Sequence, residues 1–141
     1  MAKEPSYESI DHTADTGIHV FGHNPGDLFQ NAAMALMDQL VDPGDLSPGK
    51  EKRLTVEGAD WPDLMVNWLR EILYLWVGGD LLVQSVQMEF ITPKRLAAHL
   101  RVAPFSQKRH QIKSEIKAVT YHQIQVVDMG KRWEARVIFD T

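Results

Sequence analysis

The chain's clear alternation of apolar and polar residues begins at Gly17–Phe21, where Ile18 and Val20 share one face and His19 and Phe21 the other. Asn24-Pro25 then predicts a helix start: Asn24 suits the N-cap, Pro25 the first helical position, and Asp27 complements the dipole. Leu28, Ala32, Leu36 and Leu40 recur every fourth residue, widened by Phe29, Ala33 and Met37, until Asp42-Pro43-Gly44 breaks the stripe. A polar loop from Asp42 to Lys52 leads to a second strand over Arg53–Glu57. Asp60-Trp61-Pro62-Asp63 marks a second helix start, with Asp60 as cap. From Leu64 to Trp76 that helix is apolar round most of its circumference, which predicts deep burial of Trp68 and Trp76. Asn67, Arg70 and Glu71 should mark its exposed edge, and Gly78-Gly79 its end.

The period then shortens to two. Leu81–Phe90, Arg95–Val102, Ile112–Lys117, Tyr121–Val127 and Trp133–Asp140 read as strands, and Thr92-Pro93 and Met129-Gly130-Lys131 as tight connections. Phe105 to His110 is polar, basic and poorly patterned, hence a loop. The expected fold is α+β, a single domain over residues 1–141, mostly antiparallel sheet with two principal helices packed against it. No internal repeat or low-complexity segment interrupts it.

Composition narrows the function. Hydrophobic residues at 44% with 24% charged residues are ordinary for a globular chain. A net charge of −4 argues against holding nucleic acid by phosphate neutralisation. With no cysteine, disulfides, thiol catalysis and thiolate zinc sites are excluded. No apolar run reaches the roughly 20 residues of a bilayer span, and Met1–Ser6 lacks a signal core, so a cytoplasmic protein without membrane contact is expected.

Three stretches concentrate reactive groups: Asp11-His12-Thr13-Ala14-Asp15, Lys117–His122 and Phe139-Asp140-Thr141. Pattern puts each at a strand end. If they converge, the carboxylates of Asp15 and Asp140, a main-chain carbonyl and the terminal carboxylate of Thr141 are hard oxygen donors suited to calcium, magnesium or manganese. His12 or His122 in the shell would shift the preference to zinc or a transition metal. Each has a plain alternative: His12 bracing a turn, His122 a satisfied structural histidine, and Lys117 a solvated strand charge. Asp38, near a helix end in a Met-rich context, faces either a partner or water. There is no His-Glu-x-x-His pair, no Gly-x-Ser-x-Gly elbow and no phosphate-cradling glycine loop.

Taken together, Asp11-His12-Thr13-Ala14-Asp15-x-Gly17, Asn67-Trp68-Leu69-x-Glu71-x-Leu73-Tyr74-Leu75, Ile116-Lys117-Ala118-Val119-Thr120-Tyr121-His122 and Trp133-x-Ala135-x-Val137-Ile138-Phe139-Asp140 resemble the archease family. The order and spacing cover nearly the whole chain. The resemblance implies an accessory protein rather than an enzyme. It would be a cofactor of an RtcB-type RNA ligase in tRNA splicing and RNA repair, promoting ligase guanylylation and multiple turnover and meeting RNA only through the ligase. It also implies a divalent-metal site, calcium first with magnesium or manganese open, at Asp15, Asp140 and Thr141. Lys117 would be a contact to the ligase or its nucleotide, with His12, His122 and Asp38 as further candidate contacts. Thr16 stands where a larger aliphatic residue is usual, and Thr141 where isoleucine or valine is common. The competing classes are a stand-alone metal-dependent phosphoester hydrolase, using Asp15, His12 and His122, and a metal-independent chaperone-like module.

Overall fold

A computed structural model describes residues 6–11, 16–42 and 49–141, with Asp11 through its backbone only. His12, Asp15 and the Pro43-Gly44 break therefore lie outside the described residues. Strand β1 (Tyr7–Asp11) precedes β2 (Thr16–Gly22), where the sequence suggested only a polar lead. Helix α1 (Pro25–Leu40) starts as its cap predicts: Asn24 Oδ1 accepts the Asp27 amide at 2.8 Å, and Asp27 accepts the His23 amide at 2.9 Å. β3 (Val41–Asp42) and β4 (Lys50–Glu57) follow. Helix α2 (Trp61–Gly79) repeats the device, Asp60 accepting the Asp63 amide at 2.9 Å and Asp63 the Ala59 amide at 2.8 Å. It runs through both glycines that were expected to end it and stops instead on Asp80, in the left-handed region at φ 52°. A short polar side chain tolerates that conformation better than most.

β5 (Leu81–Thr92) and β6 (Arg95–Pro104) form the expected hairpin. Two expected strands shrink. Of Ile112–Lys117 only β7 (Gln111–Ile112) includes a strand residue, because the Lys113 and Ser114 amides turn to the Leu40 carbonyl at the end of α1. Of Tyr121–Val127 only the last part survives, in β9 (Gln125–Asp128). Tyr121 and His122 form a turn, with Gln123 at φ 54°. Between them lies β8 (Ala118–Val119), and β10 (Trp133–Asp140) closes the order at its predicted bounds.

Among the described residues three antiparallel sheets result. One runs β1-β2-β10, with β9 and β8 sharing β10's other edge: β9 along Trp133–Arg136 and β8 along Phe139–Asp140. The second is β4-β6-β5, and β3 with β7 makes a two-stranded third. Both helices touch both larger sheets, α1 on β2 and β5, α2 on β5, β4, β8 and β9. The apolar stripe of α1 is wholly buried, and Trp68 sits at the centre with its Nε1–H donating to the Phe29 carbonyl at 2.8 Å. Trp76 is only half-buried, edge-on to Phe105.

Candidate functional site

Strand pairing brings Lys117–Val119, Phe139-Asp140 and the residues bounding the 12–15 stretch, Asp11 and Thr16, to one end of the five-stranded sheet. Thr16, which follows Asp15, is paired with Phe139, which precedes Asp140. On β10's other edge Asp140 is paired with Ala118, and the Lys117 amide donates to the Asp140 carbonyl at 2.7 Å. Thr120 ties the same corner twice, its amide and its hydroxyl both donating to the Ile138 carbonyl at 3.0 and 2.9 Å. The Thr120 hydroxyl also accepts the His122 amide at 3.2 Å. Lys117, His122, Asp140 and Thr141 are all exposed. Among the described residues His122 bonds only through its backbone amide.

A second set of contacts, not apparent in the sequence, holds this corner against α2. Tyr121 donates its hydroxyl to Asp63 Oδ1 at 2.6 Å, and the Arg70 guanidinium lies 4.8 Å over the Tyr121 ring while its Nε donates to the Val119 carbonyl at 3.2 Å. The Tyr121 bond and the Ala59 amide hold the Asp63 carboxyl below its ordinary range, and the same bond pushes the Tyr121 phenol up. Asp63 and Tyr121 are 58 positions apart, so no local signal could have paired them. The motif residue Tyr121 was visible; its partner was not. Beside it, Tyr74 and Val77 of α2 are exposed and, with Lys117, line a shallow cleft of about 270 Å³.

Asp38 belongs elsewhere. On the last turn of α1, it accepts the Tyr7 hydroxyl, and Lys113 Nζ reaches its carbonyl at 3.1 Å and its Oδ1 at 3.5 Å. Tyr7 pairs with Val20, at the opposite end of β1 from the Asp11–Thr16 pair. Among the described residues no three His, Asp or Glu side chains cluster to hold an ion. The described donors at the sheet corner are the Asp140 and Thr141 oxygens, suited to a hard cation, and the His122 ring, suited to a softer one.

A protein-family model described as "Archease protein family (MTH1598/TM1083)" matches residues 7–141. Among curated proteins, "Protein archease" of Archaeoglobus fulgidus is 35% identical over 136 residues, covering 95% of this chain and 98% of that protein. The one from Methanosarcina mazei is 32% identical over 141 residues, covering 95% and 94%. Among solved structures, protein 1598 of Methanobacterium thermoautotrophicum superposes with a TM-score of 0.83 at 27% identity, covering 96% of this chain and 99% of its own. A Thermotoga maritima structure described as an archease, possible chaperone, shares the fold with a TM-score of 0.64 at 18% identity.

Proposed function

This chain belongs to the archease family, and from that premise we propose that it is an accessory protein of an RtcB-type RNA ligase. It promotes guanylylation and repeated turnover of the ligase in tRNA splicing and RNA repair, and the ligase performs the chemistry. The observation that carries this reading is the pairing at the sheet corner: Thr16 beside Phe139, Asp140 beside Ala118, and the Lys117 amide on the Asp140 carbonyl. Residues in or next to each of the three motif stretches thereby pair at one edge, and the sequence carries no phosphate-binding loop to serve an independent nucleotide reaction.

In this reading Asp15, Asp140 and Thr141 supply oxygen donors for a divalent ion, calcium first and magnesium or manganese next. The ion supplies fixed positive charge where two carboxylates would otherwise repel. Lys117, whose amide bonds the Asp140 carbonyl, brings a cation to that corner, and His12 and His122 are proposed as further contacts to the partner. Asp38, held by Tyr7 and Lys113, lies near the other end of β1 and is not proposed as an ion ligand. The protein's contribution is preorganisation of its partner.

The test is a ligase guanylylation assay with purified partner, using Asp15→Ala and Asp140→Ala proteins shown to fold. Stimulation should fall at least tenfold in each, and a chelator should mimic the loss. Full stimulation by both variants sinks the proposal. Binding and stimulation that survive chelation would instead favour a metal-independent interaction module, for which the exposed Tyr74 and Val77 beside Lys117 are the relevant surface. Phosphoester turnover by the isolated protein with added metal would favour the hydrolase.

A further inference from the structure

Away from the sheet corner, the last turns of α1, the start of β5 and the loop before β7 enclose a cavity of about 370 Å³. That is within the usual range for small-molecule sites. Its walls are mostly apolar, with Met34, Met37, Val41, Leu82 and Val83 among them, and polar groups enter from two sides. On one side stands Asp38, holding the Tyr7 hydroxyl; both residues line the cavity. On the other stands His110, only 8% exposed and the one buried polar or charged residue among those described.

The state of His110 follows from its loop. Its Nδ1 accepts the Ser106 amide at 2.8 Å, so in the neutral ring the proton resides on Nε2. The loop closes further through the His110 amide on the Ser106 carbonyl at 2.8 Å, and Phe105 braces the ring at 5.8 Å. Nε2–H has no hydrogen-bond partner among the described residues, yet it is not sealed from solvent. A nearly buried donor with no acceptor among the described residues, in a mostly apolar cavity whose other polar lining is Ser6, Tyr7, Asp38 and Gln84, favours a ligand that accepts from it. Asp38 retains accepting capacity after its bonds to Tyr7 and Lys113, since a carboxylate offers about four lone-pair sites. The two methionines let the walls adapt to a flat ring.

We propose that this cavity is a binding site for a small uncharged heteroaromatic molecule that accepts a hydrogen bond from His110 Nε2 and donates one to Asp38. The site is separate from the sheet corner and does not depend on the ligase reading. It gives Asp38 a role that the corner does not.

Benzimidazole, which carries one ring N–H and one ring acceptor, and indole, which carries the N–H alone, are the probes, titrated into the full chain with amide NMR as readout. Benzimidazole should bind saturably with a Kd of order 1 mM, the range of a fragment so small. The shifted amides should be those of Met34–Asp38, Leu82–Gln84 and Ser106–His110, with Trp133–Thr141 unmoved. His110→Asn keeps an acceptor for the Ser106 amide but removes Nε2–H, so the preference for benzimidazole over indole should shrink by about tenfold, the scale of one neutral hydrogen bond. Asp38→Asn, at an exposed position, should weaken both probes severalfold, and it decides the matter alone if His110→Asn does not fold. No saturable shift at those amides overturns the proposal. So does an unchanged preference in His110→Asn, or unchanged affinity in Asp38→Asn.

Discussion

Replacing Gly17 by alanine tests whether the close strand approach at the motif corner is real. Gly17 lies between Ile10 of β1 and Ile138 of β10 in register, and both isoleucines are buried, at 8% and 3% exposure. A Cβ on residue 17 would sit 2.2 Å from the Val137 carbonyl oxygen, 3.2 Å from Ile138 Cα and 3.2 Å from Ile138 Cδ1. The isoleucine tip can swing away, but the carbonyl belongs to the backbone of β10, so β2 and β10 must part by close to an ångström. Overpacking of this kind costs about 1–3 kcal/mol, and each ladder bond stretched out of range adds about 1 kcal/mol. About 3 kcal/mol is the expected total, a large share of the roughly 5–15 kcal/mol that holds a domain together. For a chain of 141 residues that lowers Tm by about 10 °C. Urea and thermal unfolding followed by tryptophan fluorescence measure it. Gly79→Ala is the control, since its Cβ would meet only the Leu81 side chain at 3.6 Å, and it should change stability by no more than about 0.5 kcal/mol. If Gly17→Ala is as mild as Gly79→Ala, the tight β2–β10 approach is wrong.

The hold on Lys117–His122 has a pH signature. The Asp63 carboxyl is held low chiefly by the Tyr121 hydroxyl, so its contribution is complete above the ordinary carboxylate pKa of about 4 and is lost as pH falls through the lowered value. Tyr121→Phe should therefore flatten the acid side of a stability-against-pH curve of urea midpoints, and an unchanged acid limb would show that the bond contributes nothing. Trp68→Phe removes the buried bond to the Phe29 carbonyl and one ring's worth of packing between the helices. Its expected cost is about 2–3 kcal/mol by denaturant unfolding, and a loss under about 1 kcal/mol would contradict the central placement of that side chain.

What the sequence revealed divides by how local its causes are. Both helix starts were legible because an N-cap and its partner lie within four residues, and β10 because Trp133, Ala135, Val137 and Phe139 hold one face, with Glu134 and Arg136 between the first three. β1 was not legible. Its apolar residues, Tyr7 and Ile10, are three apart, so no two-residue period shows, and the strand exists because β2 pairs with all five of its residues. Residues 113–117 carried a strand-like pattern, yet their amides go to Leu40 and Asp140, partners 73 and 23 positions away from Lys113 and Lys117. Here tertiary contacts overrode propensity.

The same contrast governs the two sites. The motif stretches at the sheet corner announce themselves by residue type, and what had to come from structure was only that their neighbours pair. The cavity inverts this. Phe105–His110 reads as a polar, basic surface loop, and by composition His110 belongs in water. A single bond inside the loop, Ser106 amide to His110 Nδ1, turns the ring inward and commits one of its nitrogens. The other is then left as a donor in the wall of a mostly apolar cavity, and Asp38, equally ambiguous in sequence, is the acceptor that lines the same cavity. Neither residue carries a motif, because the property that matters is the environment each supplies to the other. A site of that kind is found by accounting for the partners of every buried polar atom rather than by matching a pattern.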